Sequence, residues 1–173
     1  RTAGFASVSQ SGLTESSRLL GCILMFVGGS PAGTAGGIKT TTFAMLVLTI
    51  ISVLRGHKDT ECFGRRVEMD SVRSALTITL ITFTCWLAAV AAMSIFDPQT
   101  EFLNLMYEAS SAIGTVGLSA DLTPHLTRAS HVVLMLLMYI GRIGPLTMAL
   151  VFAGKSNKSD KFRELPEKKI MLG

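Results

Sequence analysis

Residues 28–42, GGSPAGTAGGIKTTT, crowd glycines around one lysine. Backbone N–H groups and an ammonium in such a loop are a means of holding phosphate. The spacing argues against that use. A phosphate loop needs glycine directly before Lys-Ser/Thr and a strand ahead of it. Here Ile38 separates Gly37 from Lys39, and the preceding run LLGCILMFV is an apolar helix by pattern. No later apolar strand ending in Asp offers a magnesium ligand. A nucleotide-binding membrane enzyme using this loop therefore stands as the alternative reading, not the first.

A second set of residues suits different chemistry. Thr115-Val116-Gly117-Leu118 is an extended T-x-G stretch following a short apolar segment, and Thr2-Ala3-Gly4-Phe5 repeats it. Backbone carbonyls turned toward an axis can replace the hydration shell of a monovalent cation. Glycine keeps the backbone free and the passage open. The potassium-channel signature TVGYG is half met, because Leu118-Ser119 replaces Tyr-Gly, so a shorter and weaker coordinating stack is expected. Lys39 and Arg142 are the bases inside the apolar segments. Each costs at least about 2.5–3.5 kcal/mol at bilayer depth, which marks it as functional by default. Arg142 would repel permeating cations, tie loop carbonyls together, or both. Lys39 either faces a pore or reaches toward the cytoplasmic surface. The cysteines (Cys22, Cys62, Cys85) and histidines (His57, His125, His131) lack ligand spacing, so neither a disulfide framework nor a resident metal is expected.

The elements that must position these groups belong to a membrane protein. Of 173 residues 49% are hydrophobic and 16% charged, against about 25% charged in soluble domains, and the mean hydropathy is +0.47. Residues 19–54 are nearly all apolar outside the glycine loop. One straight helix of that length would run about 54 Å, well beyond a hydrocarbon core of about 30 Å. The glycines and Pro31 thus predict a helix broken inside the bilayer. Residues 75–96 form an ordinary span, 101–113 are too short to cross and read as re-entrant, and 131–153 form a long segment interrupted by GRIGP. Arg55, Lys58, Arg65, Arg66 and Arg73 crowd one loop (55–73). Six further bases crowd the tail (154–173), whereas 97–101 has none. The positive-inside rule puts the loop and the tail in the cytoplasm. Acids interleave these bases without a stacking platform, so no nucleic-acid partner is expected. The chain opens without Met or a signal-peptide pattern, which reads as a fragment or processed piece.

A shift of 113 residues lays Thr2-Ala3-Gly4-Phe5 on Thr115-Val116-Gly117-Leu118, Leu13-Thr14 on Leu126-Thr127, Ser17 on Ser130, Met25 on Met138 and Gly28 on Gly141. Two copies of equal polarity imply rotation about an axis along the membrane normal. The fold expected is an all-α polytopic membrane protein of M1–pore helix–M2 repeats, with re-entrant filter loops and a broken inner helix.

With RTAGF (1–5), GGSPAGTAGGIKTTT (28–42), SAIGTVGLS (111–119), YIGRIGPLT (139–147) and LPEKKIMLG (165–173) in order along the whole chain, the sequence resembles the C-terminal half of potassium-uptake subunits of the Trk/Ktr/HKT superfamily. The ending is most similar to the Ktr branch. The resemblance implies four such repeats around one pore, in a multi-pass protein of the bacterial cell membrane. This chain would supply the third filter with its inner helix (1–54), the cytoplasmic loop 55–73 and the fourth repeat (74–153); alone it would not conduct. It further implies that Thr2, Ala3, Gly4, Phe5, Thr115, Val116, Gly117 and Leu118 form filter segments. Gly28, Gly29, Ser30, Pro31, Ala32, Gly33, Thr34, Ala35, Gly36, Gly37 and Lys39 would form an intramembrane gate that Arg142 faces. K⁺ is the implied transported ion, with Na⁺ as a coupling ion left open. A cytosolic RCK-type nucleotide-binding ring and a homodimer partner are implied as well. A non-conducting structural membrane protein is the remaining alternative.

Overall fold

The structure, a computed structural model, describes residues 3–31, 33, 35–56, 59–62 and 65–144. Helix α1 (Glu15–Phe26) follows a 3-10 turn at Gln10–Gly12. A loop leads to α2 (Thr40–Leu54), then to a two-stranded hairpin of β1 (Glu61–Cys62) and β2 (Arg65–Arg66). Helix α3 (Met69–Phe96), α4 (Phe102–Ile113), a second 3-10 turn (Thr123–His125) and α5 (Arg128–Ile143) complete the described chain.

The overlong apolar segment 19–54 is divided into α1 and α2. Helix α3 starts at Met69, six residues before the expected span, so residues 69–73 belong to the helix and not to the loop. Nothing in residues 69–74 breaks a helix, and Asp70 in the first turn suits the positive end of the helix dipole. Across 28 residues, α3 is about 42 Å long at about 1.5 Å per residue. It is long and apolar enough to cross a membrane. Its Leu76, Leu80, Phe83, Leu87 and Ile95 stay exposed on the isolated chain.

Short and central, α4 packs against α1, α3 and α5. Every residue from Tyr107 to Ile113 is buried. Leu105, Ala109, Ala112 and Ile113 join Ala89, Val90 and Met93 of α3 and Leu134 and Leu137 of α5 in one apolar cluster. Two polar ties fix its ends. Arg18 of α1 reaches Glu101 at 3.3 Å and also Asn104, while the Trp86 indole donates to Ser110 Oγ at 3.0 Å. At the outer turn Asp97, which ends α3, accepts from Thr127 and Ser130 and so anchors the start of α5.

The 113-residue offset also relates local geometry. It maps one 3-10 turn onto the other and the start of α1 onto the start of α5. Thr14 Oγ1 accepts from the Ser17 N–H at 3.4 Å, and Thr127 Oγ1 accepts from the Ser130 N–H at 3.4 Å. These are the same N-cap at equivalent positions. The equivalence stops at the far ends. Gly28 lies in the loop after α1, but Gly141 remains inside α5, whose end comes at Gly144 with φ +93°. Gly141 is small for another reason: a Cβ there would sit 2.1 Å from the Ile113 carbonyl oxygen. Segment 145–153 and the basic tail lie outside the described residues.

Gly141→Ala should therefore destabilise the protein by more than about 1–3 kcal/mol, the usual cost of overpacking. Gly12→Ala, where nothing lies within 4 Å, should stay within about 0.5 kcal/mol of the parent. Thermal unfolding of both variants in detergent checks the contrast.

Candidate functional site

Four of the five positive-φ positions outside the C-cap of α5 and the turn at Gly56 gather at one place: Gly4 (+68°), Gly37 (+68°), Thr115 (+49°) and Gly117 (+87°); the fifth, Asp121 (+60°), lies just beyond it. The two T-x-G segments adjoin there. A Cβ on Gly4 would stand 2.9 Å from the Val116 carbonyl oxygen, and one on Gly117 would stand 3.5 Å from the Gly4 Cα. Any side chain at either position would meet an unfavourable backbone angle, and at Gly4 a close carbonyl as well. Thr115 is a β-branched residue held at positive φ, an outlier that persists only where its surroundings enforce it. Its N–H bonds Ala112 O at 3.1 Å, and the Val116 N–H bonds Ser111 O at 2.9 Å. The stretch thus leaves the end of α4 without orphaning these donors.

The glycine loop is folded back on its own ends. Val27 and Ile38 form a parallel bridge. The Gly28 N–H donates to Ile38 O at 2.8 Å, the Ile38 N–H to Phe26 O at 3.2 Å, and the Thr40 N–H to Gly29 O at 3.2 Å. Gly28 permits this closure, since its Cβ would meet Gly36 O at 2.0 Å. Ser30, Pro31 and Gly33 form an exposed tip, Ala35 is half-buried, and Gly36, Gly37 and Ile38 are buried. At the base the Gly36 N–H donates to Thr115 Oγ1 at 3.0 Å. Loop and T-x-G segment are therefore in direct contact.

Lys39 sits at the N-cap of α2 and turns back on the loop, donating to Gly33 O at 3.2 Å and Ala35 O at 2.5 Å. A phosphate-binding lysine has to be directed at its ligand, and here a helix, α1, precedes the loop. Both features count against nucleotide binding. Arg142, in the last turn of α5, lines an open cavity of about 450 Å³ with Glu108, Thr115, Gly117 and Met138; none of the described loop residues lines it. Among the expected site residues, Thr2, Ala32 and Thr34 lie outside the described ones. Phe5 and Leu118 flank the two glycines, and Phe5 is 93% exposed.

One residue at this site escaped the sequence reading. Glu108 is buried in α4, and its carboxylate accepts from Ser119 Oγ, the Ala120 N–H and Thr123 Oγ1. The signal was present: Glu108 is the one charged residue between Glu101 and Asp121. Farther out, Asp121 accepts from Ser11 at 2.7 Å and Ser9 at 2.8 Å, joining the outer ends of the two segments. Those hydroxyls, Ser11 first, hold its pKa below the ordinary 3.8. A lowered folded pKa means that the tie is complete above 3.8 and lost only as pH falls through the folded value. It is intact at neutral and mildly acidic pH.

Non-helical backbone bonded from within, packed beside a helix long and apolar enough to cross a membrane, fits a membrane protein. The sequence profile of the TrkH family, described as a cation transport protein, matches residues 1–164. The potassium/sodium uptake protein NtpJ of Enterococcus hirae is 36% identical over the whole of this chain and 39% of its own length. The Ktr system potassium uptake protein B of Bacillus subtilis is 36% identical over the whole chain and 38% of its length. Its namesake in Vibrio alginolyticus is 34% identical over the whole chain and 37% of its length. The chain belongs to the TrkH family of membrane cation transporters, which are not enzymes. It spans about 39% of the length of the curated relatives it matches.

Thr115→Val should leave the buried Gly36 N–H without its acceptor, at a cost of about 1–3 kcal/mol to the loop contact. Amide exchange over residues 35–38 should accelerate in that variant and stay near the parent rate in Thr115→Ser, which keeps the hydroxyl.

Proposed function

We infer that the protein takes part in potassium uptake across a bacterial cell membrane, with residues 2–5 and 115–118 as two backbone-carbonyl filter segments and residues 28–37 as the gate. The single observation that carries this reading is the close approach of Gly4 to the 116–117 backbone, both glycines at positive φ, beside a loop bonded to Thr115. Dehydrating a cation needs fixed carbonyl dipoles in a water-excluding surround. Carbonyl-rich backbone at bilayer depth is tolerated where it lines such a path. The matching N-caps and 3-10 turns support a reading of 1–54 and 74–153 as parts of two M1–pore helix–M2 repeats. On that reading α4 is a pore helix and α1 and α5 are the helices that follow the filters.

The relatives are named for potassium, potassium/sodium and Ktr-system uptake. Hence K⁺ is the proposed cargo, with Na⁺ as the candidate coupling ion. A cytosolic RCK-type regulatory ring is the proposed partner, and its contacts would be the basic residues of 55–73 and the tail, whose charge favours the cytoplasmic side. A homodimer of this multi-pass subunit completes the proposal. In the gate, Lys39 restrains the loop by its carbonyls, and Arg142 supplies positive charge to the cavity beside the filter.

In cells expressing the full-length protein, Gly117→Ser should lower the preference for K⁺ over Na⁺ at least about tenfold, a change of about 1.4 kcal/mol. Unchanged selectivity would remove 115–118 from the filter. Lys39→Met, which keeps the length of the side chain but not its donors, should raise K⁺ flux at equal membrane abundance. Equal or slower flux would reduce Lys39 to a structural anchor.

A further inference from the structure

Two consecutive residues of α4 hold equivalent positions of the two outer segments. The Tyr107 hydroxyl donates to Gln10 Oε1 at 2.8 Å, and Thr123 Oγ1 donates to Glu108 Oε2 at 2.8 Å. Gln10 and Thr123 are partners under the 113-residue offset and begin the two 3-10 turns. Glu108 Oε1 takes two further donors just beyond the filter glycine, Ser119 Oγ at 2.5 Å and the Ala120 N–H at 3.0 Å. Both side chains are buried, with relative exposures of 2% for Tyr107 and 4% for Glu108. The backbone donor admits one arrangement: an acceptor must face Ala120. The two hydroxyls complete a set in which both carboxylate oxygens accept. Asp121, adjacent to this clamp, then grips Ser9 and Ser11. The outer ends of both filter segments are thereby referred to one rigid, buried helix turn.

We propose that Tyr107 and Glu108 are positioning residues that fix the separation of the two filter segments, and through it the discrimination between K⁺ and Na⁺. Neither touches the ion; each acts through the backbone of 119–123 or of 10–12. A carbonyl ring selects by its size and by the stiffness of its dipoles, and buried hydrogen bonds to a charged group are the stiff ones. Glu108→Gln keeps the volume and the acceptor for Ala120 and Ser119 but removes the charge and turns an NH₂ donor toward the Thr123 hydroxyl. Tyr107→Phe keeps the ring and removes only the tie to Gln10. The proposal rests on the filter reading above.

The test is the ratio of K⁺ to Na⁺ uptake at saturating and limiting ion, measured in cells expressing the full-length protein at matched membrane abundance. Glu108→Gln should lower the ratio by roughly three- to tenfold, on the scale of one ordinary net hydrogen bond. The change should appear in KM for K⁺ more than in maximal rate. Tyr107→Phe and Ser119→Ala should move it in the same direction by a smaller factor. A parental ratio in Glu108→Gln, alongside a lowered ratio in Gly117→Ser, overturns the positioning role and leaves the filter standing. Parental ratios in both overturn the filter reading as well. Should Glu108→Gln fail to reach the membrane, Ser119→Ala and Tyr107→Phe decide: parental ratios in both overturn the proposal.

Discussion

Backbone that leaves helical form at bilayer depth has no water to satisfy it, and every N–H and C=O must be answered from within the protein. The rest of this structure follows from that constraint. Between α1 and α2 the chain runs through 27–39, where Gly28, Ile38 and Thr40 donate to Ile38, Phe26 and Gly29 carbonyls. Lys39 answers two more carbonyls. At the base of the loop the Gly36 N–H goes to Thr115 Oγ1. This last bond attaches the loop to the T-x-G backbone.

The glycines then acquire separate reasons. Gly28 lets the loop close on Gly36 O, Gly36 lets it approach Thr115 and Ile113, and Gly114 and Gly141 let α1, α4 and α5 converge at the end of α4. Only Gly4, Gly37 and Gly117 among the site glycines also need a left-handed backbone. A side chain at any of these positions would push apart segments whose hydrogen bonds depend on their closeness.

Much of this was legible in the sequence. The break of the 19–54 segment followed from its excess length and from Pro31, and the shortness of α4 followed from the interval between Glu101 and Gly114. The uncharged span 75–96 lies within α3, which begins six residues earlier because a basic residue such as Arg73 is as much at home in the first turns of a helix as in a loop. The interruption expected at GRIGP (141–145) comes at Gly144, where α5 ends; Gly141 itself stays helical, and the carbonyl of Ile113 shows that its small size is what is needed. Glu108 was passed over for the opposite reason. Its donors come 11, 12 and 15 residues later, a separation no helical or strand period links.

The two copies share their N-caps and 3-10 turns but not the helices that follow, and on the proposed reading that inequality has functional weight. Helix α1 stops at Phe26, and the chain folds into the loop. At the equivalent depth α5 continues through Tyr139 and Ile140 to Ile143, pressed by Gly141 against the last carbonyls of α4. The space beside Thr115 is reached by the loop's Gly36, while Arg142 enters the cavity on another side. A carbonyl filter gains from similarity among its segments, because the ion meets dipoles from all sides. A gate gains from a single mobile element, because one loop can withdraw without unmaking the packing of every helix around the path. On the proposed reading of filter and gate, two copies alike in cap and turn but unlike in the helices after them meet both demands in one chain.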